Sequence, residues 1–300
     1  MDALKFSEML SDKHITNLKK LKYKYPDDFE EFINILKSSF YEKLPLNDFD
    51  GKNLVYLTSC TGVNLEAVKL LFTAQNSVYA ANAVEEEIVA TSAIESIDFD
   101  RSSVRSIMLG NAPKDNQENR IYGLKLGFEF ISDRHNHITE ENIHKLYMMA
   151  IGNFLEGDDR LRDGEFYRHD DVYVMGGDGV VHRGIGSGKL PGYMKQFVDF
   201  ANADDGINDL LKAAMLHFDI AYLHPYFDGN GRMARLLHMW FLIQKGYEST
   251  LFVPMSSYIE KSRGKYYDAY TLVENNARLA GVTDVTPFPV SYTHLRAHET

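Results

Sequence analysis

The twelve residues His224-Pro225-Tyr226-Phe227-Asp228-Gly229-Asn230-Gly231-Arg232-Met233-Ala234-Arg235 constrain this 300-residue chain more than any other stretch. They bring together a titratable base, a carboxylate, an amide, two glycines and two arginines, a set that no packing demand explains. The glycines let the backbone turn tightly and expose its N–H groups. Behind them Met233, Leu236, Leu237, Met239, Trp240, Phe241 and Ile243 continue as a helix. The loop therefore feeds a helix N-terminus, where unpaired N–H groups and the positive end of the dipole attract an anion.

Each charged member has a task in such a cradle. Arg232 and Arg235 lie three apart, so both can face one side of the first turn and fork onto phosphate oxygens. Asp228 offers a hard oxygen ligand for a magnesium ion that itself holds phosphates. His224 can take a proton near neutral pH, and Pro225 fixes the backbone that aims it. An Asp-Gly-Asn-Gly string taken alone is more often just a turn. It is also no calcium loop, because Arg232 stands where an acid or amide is needed and Met233 where glycine is needed. A solvated turn has no use for two arginines in this register, so a phosphate site beside a base is the better reading.

At these residues the chain resembles the Fic (Fic/Doc) family, whose pattern is His-Pro-Phe-x-Asp-Gly-Asn-Gly-Arg-x-x-Arg. Every fixed position matches except the third, where Tyr226 replaces Phe. That aromatic anchors the loop in the core of relatives, and Tyr226 can do so if its hydroxyl finds a partner. The resemblance implies an ATP-dependent transferase that moves AMP onto a hydroxyl side chain of a target protein. By position, His224 would deprotonate the hydroxyl and Asp228 would hold Mg2+. Asn230 with the backbone of Gly229 and Gly231 would form the anion hole, and Arg232 and Arg235 would hold the β- and γ-phosphates. The kinase-like Doc branch carries Lys where Gly231 stands, so Gly231 argues for AMP transfer over phosphate transfer.

Bulk properties bound the remaining classes. Lys plus Arg number 32 against 43 Asp plus Glu, a net charge of −11, which excludes a basic nucleic-acid surface. The excess acid is expected on solvated helix faces. Cys60 is the only cysteine, so an internal disulfide and a thiolate metal site are both excluded. Residues 1–13 have no apolar core of a signal peptide, and no run has the apolar length to span a bilayer. A cytoplasmic protein without membrane partners is the expectation.

Helical spacing appears over 29–42, 64–98 and 119–133. Residues 139–156 read as a helix with Thr139 as N-cap and Glu140 and Glu141 in its first turn. Another helix begins over 204–219 and delivers the chain to Leu223, and a last one covers 257–275. Residues 1–63 are placed only as helical packing. Against this background, 171–183 carries β-branched runs around a Gly-Gly-Asp-Gly turn and predicts a hairpin. A scaffold hairpin is the commoner meaning of such a signal. In Fic proteins a hairpin here, the flap, adds a target strand beside the catalytic loop, and Gly164-Glu165-Phe166-Tyr167-Arg168 resembles the entry to it. On that basis Val172, Tyr173 and Val174 are the expected docking edge for the target protein. Gly184–Lys189 tempts a phosphate-loop reading and fails it, since Arg183 and Leu190 stand at required Gly and Ser/Thr positions. A flexible connection is the reading there.

A second motif concerns regulation. Alone, Glu95 would be an ordinary carboxylate near a helix end. Beside the signature, Thr91-x-x-x-Glu95-Ser96 resembles the Fic inhibitory motif (Ser/Thr)-x-x-x-Glu-(Gly/Asn), from which Ser96 departs. In relatives inhibited by an N-terminal helix of the same chain, this glutamate pairs with the second signature arginine, here Arg235. A carboxylate there takes the space of the γ-phosphate and repels it. The resemblance therefore implies autoinhibition.

Weaker candidates are His135 and His137, which read as a solvated loop, and Ser256, Ser257, Tyr266 and Tyr267, which fall near the family's adenosine helix. After Phe288, residues 290–300 lose apolar periodicity and resemble translated vector sequence, so they are left out of fold reasoning. The expected fold is mainly α, a Fic-like helical bundle with one β-hairpin flap beside the active-site loop. The expected domains are a helical inhibitory region over 1–110, a Fic core over 111–288 and a non-native tail over 289–300. Two rivals stay open: a Fic enzyme that mainly removes AMP or transfers another nucleotide moiety, and a catalytically quiet regulatory or DNA-associated module. Nucleic acid is expected as a partner only through a C-terminal lobe of the kind that relatives carry. A homodimer is left open.

Overall fold

The computed structural model describes residues 1–61, 77–97, 99–176 and 179–291. The expected helical stretch over 64–76, the hairpin tip at 177–178 and the tail over 292–300 lie outside the described residues. The chain divides into two compact units, one of Met1–Val63 with Ser262–Thr300 and one of Asn64–Lys261. The helix carrying Thr91 and Glu95 thus shares a unit with the signature, and the division does not fall near residue 110.

In the first unit, α1 (Ala3–Leu10), α2 (Leu18–Lys24) and α3 (Phe29–Ile35) bury Met9, Leu18, Leu21, Phe29, Phe32 and Ile33 in one core. Helical spacing predicted α3 to run to residue 42. It stops instead in a π-turn over Leu36–Phe40, and β1 (Tyr41–Asn47) pairs antiparallel with β2 (Asn53–Leu57). This sheet was not expected, since Pro45 demotes a strand reading and β1 alternates over only a few positions. Its turn closes on Asp48, whose N–H donates to the Lys52 carbonyl at 2.7 Å and whose carboxylate accepts the Asp50 and Lys52 N–H groups. The outer edge of β2 is covered by the segment around Asp284, where the Val55 N–H donates to the Thr283 carbonyl at 3.0 Å and the Val285 N–H donates to the Val55 carbonyl at 2.9 Å.

Among its described residues, the second unit has helices and one hairpin. It contains α4 (Ser77–Ile94), α5 (Arg101–Met108), α6 (Asn116–Ser132) and α7 (Glu140–Ala150). Then come β3 (Tyr173–Gly176), β4 (Gly179–Arg183), α8 (Leu190–Asn202), α9 (Asp209–Leu223), α10 (Asn230–Gln244) and α11 (Met255–Lys261). Thr139 caps α7 by accepting the Asn142 N–H at 3.2 Å, and α7 ends six residues before the expected 156 in single 3-10 turns. The helix expected over 257–275 is two, α11 and α12 (Arg263–Ala280), broken at Ser262. Helices α9 and α10 are buried nearly all round and form the centre of the unit. No helix among the described residues is long and apolar enough to cross a membrane.

The acidic run Glu85-Glu86-Glu87 does not form a solvated face. Glu85 pairs with Arg105 at 3.0 Å and Glu86 with Arg101 at 2.8 Å, both on α5. Glu87 is buried and accepts the Ser256 N–H of α11 at 2.7 Å as well as its hydroxyl. Burial raises the Glu87 carboxyl above its ordinary range. Consecutive carboxylates on one helix point in different directions, so a local charge run becomes tertiary attachment of α4.

Asp219 of α9 is 1% exposed, its Oδ1 has no hydrogen-bond partner among the described residues, and burial pushes its pKa up to about 8 from an ordinary 3.8. Between those values the folded chain keeps a proton that the unfolded chain has released, so this group's stability contribution declines as pH rises from about 4 to 8. Asp219→Asn should therefore raise the thermal midpoint more at pH 8 than at pH 4. A shift equal at both pH values in differential scanning calorimetry would contradict this account.

Candidate active site

The signature bridges α9 and α10 in six residues. His224 caps α9 in the left-handed region (φ 54°), with its N–H donating to the Ile220 carbonyl at 3.1 Å. A non-glycine residue in this conformation costs about 1–2 kcal/mol, so surrounding bonds must hold it. Its Nδ1 lies 3.2 Å from the Ala221 carbonyl. Since a carbonyl only accepts, Nδ1 carries the proton and Nε2 is left as the acceptor. Burial lowers the His224 pKa to about 4, helped by the nearby His182 and Arg168, so the ring is neutral across the ordinary pH range.

Gly229 opens α10 at φ 85°, and a Cβ there would come within 2.7 Å of the Ile151 side chain. Both the turn and the contact therefore require glycine. Asn230 was expected to face the anion. Its side chain is instead committed to the loop, accepting the Tyr226 N–H at 2.9 Å and donating to the Tyr226 carbonyl at 2.8 Å. What Asn230 leaves for an anion is its backbone N–H in the first turn of α10. Tyr226 is fully buried and stacks on Tyr147 with ring centroids 3.6 Å apart. Its hydroxyl finds no partner among the described residues, contrary to the condition set by the sequence.

Asp228 keeps a half-exposed carboxylate, with Oδ1 taking the Gly229 N–H at 2.6 Å and Oδ2 pairing with Arg232 Nη2 at 2.9 Å. Arg232 is buried and its Nε has no partner. Asp228 and Arg232 open onto a cavity of about 240 Å³ that also meets Arg120, Ile151, Phe154 and Asp159.

Arg235 is 1% exposed and takes its acceptors from α4. Its Nε donates to the Thr91 hydroxyl at 2.6 Å, and Nη2 donates to the Thr91 carbonyl at 3.0 Å and to Glu95 Oε1 at 2.6 Å. Gly231 leaves the room for this, because a Cβ on it would collide with Glu95 Oε1. Ser96 sits at φ 60° just beyond α4, with the Ile97 N–H returning to the Ser92 carbonyl at 2.9 Å. Such a turn ends a helix most easily on glycine, which is why a serine there looked anomalous.

In the hairpin, Tyr173 pairs with Arg183 and Val174 with His182. The Gly184 N–H donates to the Val172 carbonyl at 3.1 Å, which makes 172/184 a hydrogen-bonded pair. By alternation Val174 also bonds inward, and the Tyr173 N–H and C=O face the open edge. Of the three expected docking residues, Tyr173 thus offers the free backbone and an exposed ring. Ser187–Lys189 forms a 3-10 turn leading into α8, where a flexible connection was expected. Ser256 is occupied by Glu87, while Tyr266 lies in the first unit, buried against Tyr270 and Phe288. His135 pairs with Asp133 at 2.9 Å.

A left-handed base, a glycine-rich helix start and two buried arginines within twelve residues agree with the comparison to known proteins. Residues 137–242 match the Fic/DOC family model. Protein adenylyltransferase Fic of Drosophila willistoni is 29% identical over 193 residues, 63% of this chain and 34% of the relative. The Culex quinquefasciatus protein of the same name is 29% identical over 194 residues, with the same coverage. The chain thus spans about a third of the length of these curated relatives. Among solved structures, a Fic family protein from Desulfovibrio desulfuricans aligns with a TM-score of 0.63 at 19% identity, covering 77% of this chain and 69% of that one. A Fic-domain signaling protein from Bacteroides thetaiotaomicron aligns at 0.54 and 20% identity over 79% and 87%. These likenesses show that the Fic fold is present. Arg168, buried beside His224, is the residue of this site whose place the sequence did not reveal; only its position in the stretch before the hairpin singled it out.

Two substitutions test these local readings. Tyr226→Phe removes a buried, unpartnered hydroxyl and should stabilise the chain by about 1 kcal/mol in chemical denaturation, whereas a loss would mean that the hydroxyl is satisfied. Ser96→Gly relieves the left-handed serine and should also stabilise, by roughly 0.5–1 kcal/mol, with slower amide exchange at Glu95 and Ile97. Destabilisation by Ser96→Gly would contradict the backbone assignment.

Proposed function

We propose that this chain is a protein adenylyltransferase, moving AMP from ATP to a hydroxyl side chain of a target protein, and that α4 keeps it largely inhibited. The observation that carries the reading is the fully buried Arg235 guanidinium, whose charged acceptor Glu95 arrives from another helix. A buried guanidinium demands anionic or carbonyl acceptors, so Glu95 and a nucleotide phosphate compete for one place.

With Glu95 withdrawn, Arg232 and Arg235 take the terminal phosphates, and the unpartnered Arg232 Nε gains an acceptor. The backbone N–H groups at the start of α10 face the phosphate chain. The target oxygen attacks the α-phosphorus, the bond to the bridging oxygen of the β-phosphate breaks, and pyrophosphate leaves. The hydroxyl proton passes to Nε2 of His224, which the Ala221 carbonyl keeps in the required tautomer. Phosphate charge near the ring raises its proton affinity from the low value of the inhibited state. Asp228 fits a magnesium ion, since its half-exposed oxygens face the cavity beside Arg232 and one carboxylate with substrate phosphates suffices for this metal. When bound, magnesium neutralises phosphate charge. The open edge at Tyr173 suits strand addition by the target. A cytoplasmic location accords with the single cysteine.

Incubation of the chain with α-labelled ATP and a cell lysate tests this reading. Glu95→Gly should raise label transfer by roughly 5- to 150-fold, the usual span of coupling between competing contacts, and adding His224→Ala should abolish it. Unchanged transfer in Glu95→Gly would remove the inhibitory role. Release of AMP from labelled protein in place of its attachment would favour the AMP-removing enzyme.

A further inference from the structure

Arg168 precedes the hairpin by a few residues, is 2% exposed, and forms no hydrogen bond to a carboxylate among the described residues. Its fork is spent on three backbone carbonyls: Nε donates to His224 at 2.7 Å, Nη1 to Asp170 at 2.5 Å and Nη2 to Ile185. Asp170 lies before β3 and Ile185 follows β4, so one side chain gathers both roots of the hairpin and the carbonyl of the base. Backbone bonds converge on the same point, from Arg168 N–H to the Pro225 carbonyl at 3.0 Å and from Ile185 N–H to the Leu223 carbonyl at 3.2 Å. Burying a cation against carbonyls alone is expensive, and burial duly lowers the Arg168 pKa. An apolar side chain would fill the space more cheaply. What only the planar guanidinium supplies is a fixed angle among three separate backbone segments.

We propose that Arg168 is a positioning residue that locks the hairpin to His224, so that a target strand added at the Tyr173 edge presents its hydroxyl in fixed register with the base. This rests on the AMP-transfer reading above. The carbonyl that Arg168 Nε holds belongs to the one signature residue with a left-handed backbone other than glycine, and that backbone sets where the imidazole points. Misplacement by about 1 Å can cost a hundredfold in rate, so slack at this joint reaches the chemistry without touching nucleotide binding. The phosphate contacts lie on α10 and stay intact.

The test uses the full chain with Glu95→Gly as parent and adds Arg168→Lys, which keeps the charge and removes the fork. Lysate labelling from α-labelled ATP should fall at least tenfold. The ATP Kd, measured calorimetrically, should stay within twofold, and amide exchange at Gly184 and Ile185 should speed up at least tenfold. Labelling at the parent level, loss of labelling in step with ATP affinity, or unchanged exchange would each overturn the proposal. A parent that labels nothing would instead refute the AMP-transfer reading. Exchange at Gly184 and Ile185 and the His224 ring resonance then decide the lock alone, and parent-like values in Arg168→Lys overturn it. Should Arg168→Lys lose its cooperative thermal transition, Gly184→Ala takes its place with the same expected readings. Its Cβ would stand 2.7 Å from Arg168 Nη2 and 3.0 Å from His224 Cβ, so it disturbs the joint from the opposite side.

Discussion

Everything in the second unit turns on the guanidinium of Arg235. It is carried on an apolar helix into the interior, where a charge without acceptors costs several kcal/mol. Thr91 and Glu95 supply the acceptors across 144 and 140 residues of sequence. Because the donors are fixed, any group replacing Glu95 would also have to be a strong acceptor. A phosphate meets that demand and a water only partly does. The same constraint explains the attachment of α4, whose three consecutive glutamates anchor it to α5 and α11 and so keep Glu95 at hand.

The loop between α9 and α10 is equally over-determined. Two left-handed residues, His224 and Gly229, bound it, and the Asn230 amide staples its interior through Tyr226. Neutrality of the His224 ring follows from burial, and its tautomer from one carbonyl. On the proposed AMP-transfer reading, rigidity here is useful because an acceptor for one proton and donors for phosphate must stand at fixed separation before either ligand arrives. Arg168 extends that rigidity from the loop to the hairpin.

Much of this was legible in the sequence because it is local. The glycines, the apolar run behind them and the paired arginines sit within twenty residues, so their chemistry and spacing can be read directly. Thr139 as a cap and the Gly-rich hairpin tip are likewise short-range signals. Other features escaped because their partners are remote. The β1–β2 sheet depends on the Asp284 segment for its second edge, and Glu87 looked like surface charge until Ser256 met it. Asn230 was assigned to the anion by resemblance, and only the folded loop shows its side chain bonded to the Tyr226 backbone.

The sequence by itself determined that a base, a carboxylate and two arginines share one helix-initiating loop, since covalent spacing alone puts them there. It also supplied the Thr91 and Glu95 pattern as a resemblance. Only the tertiary structure decided that Arg235 has Glu95 on it, that Ser96 occupies the left-handed turn after α4, and that Arg168 binds the base to the hairpin. The reason is physical: hydrogen bonds of a buried cation go to whatever acceptors the packing brings within about 3 Å, and chain separation says nothing about that distance.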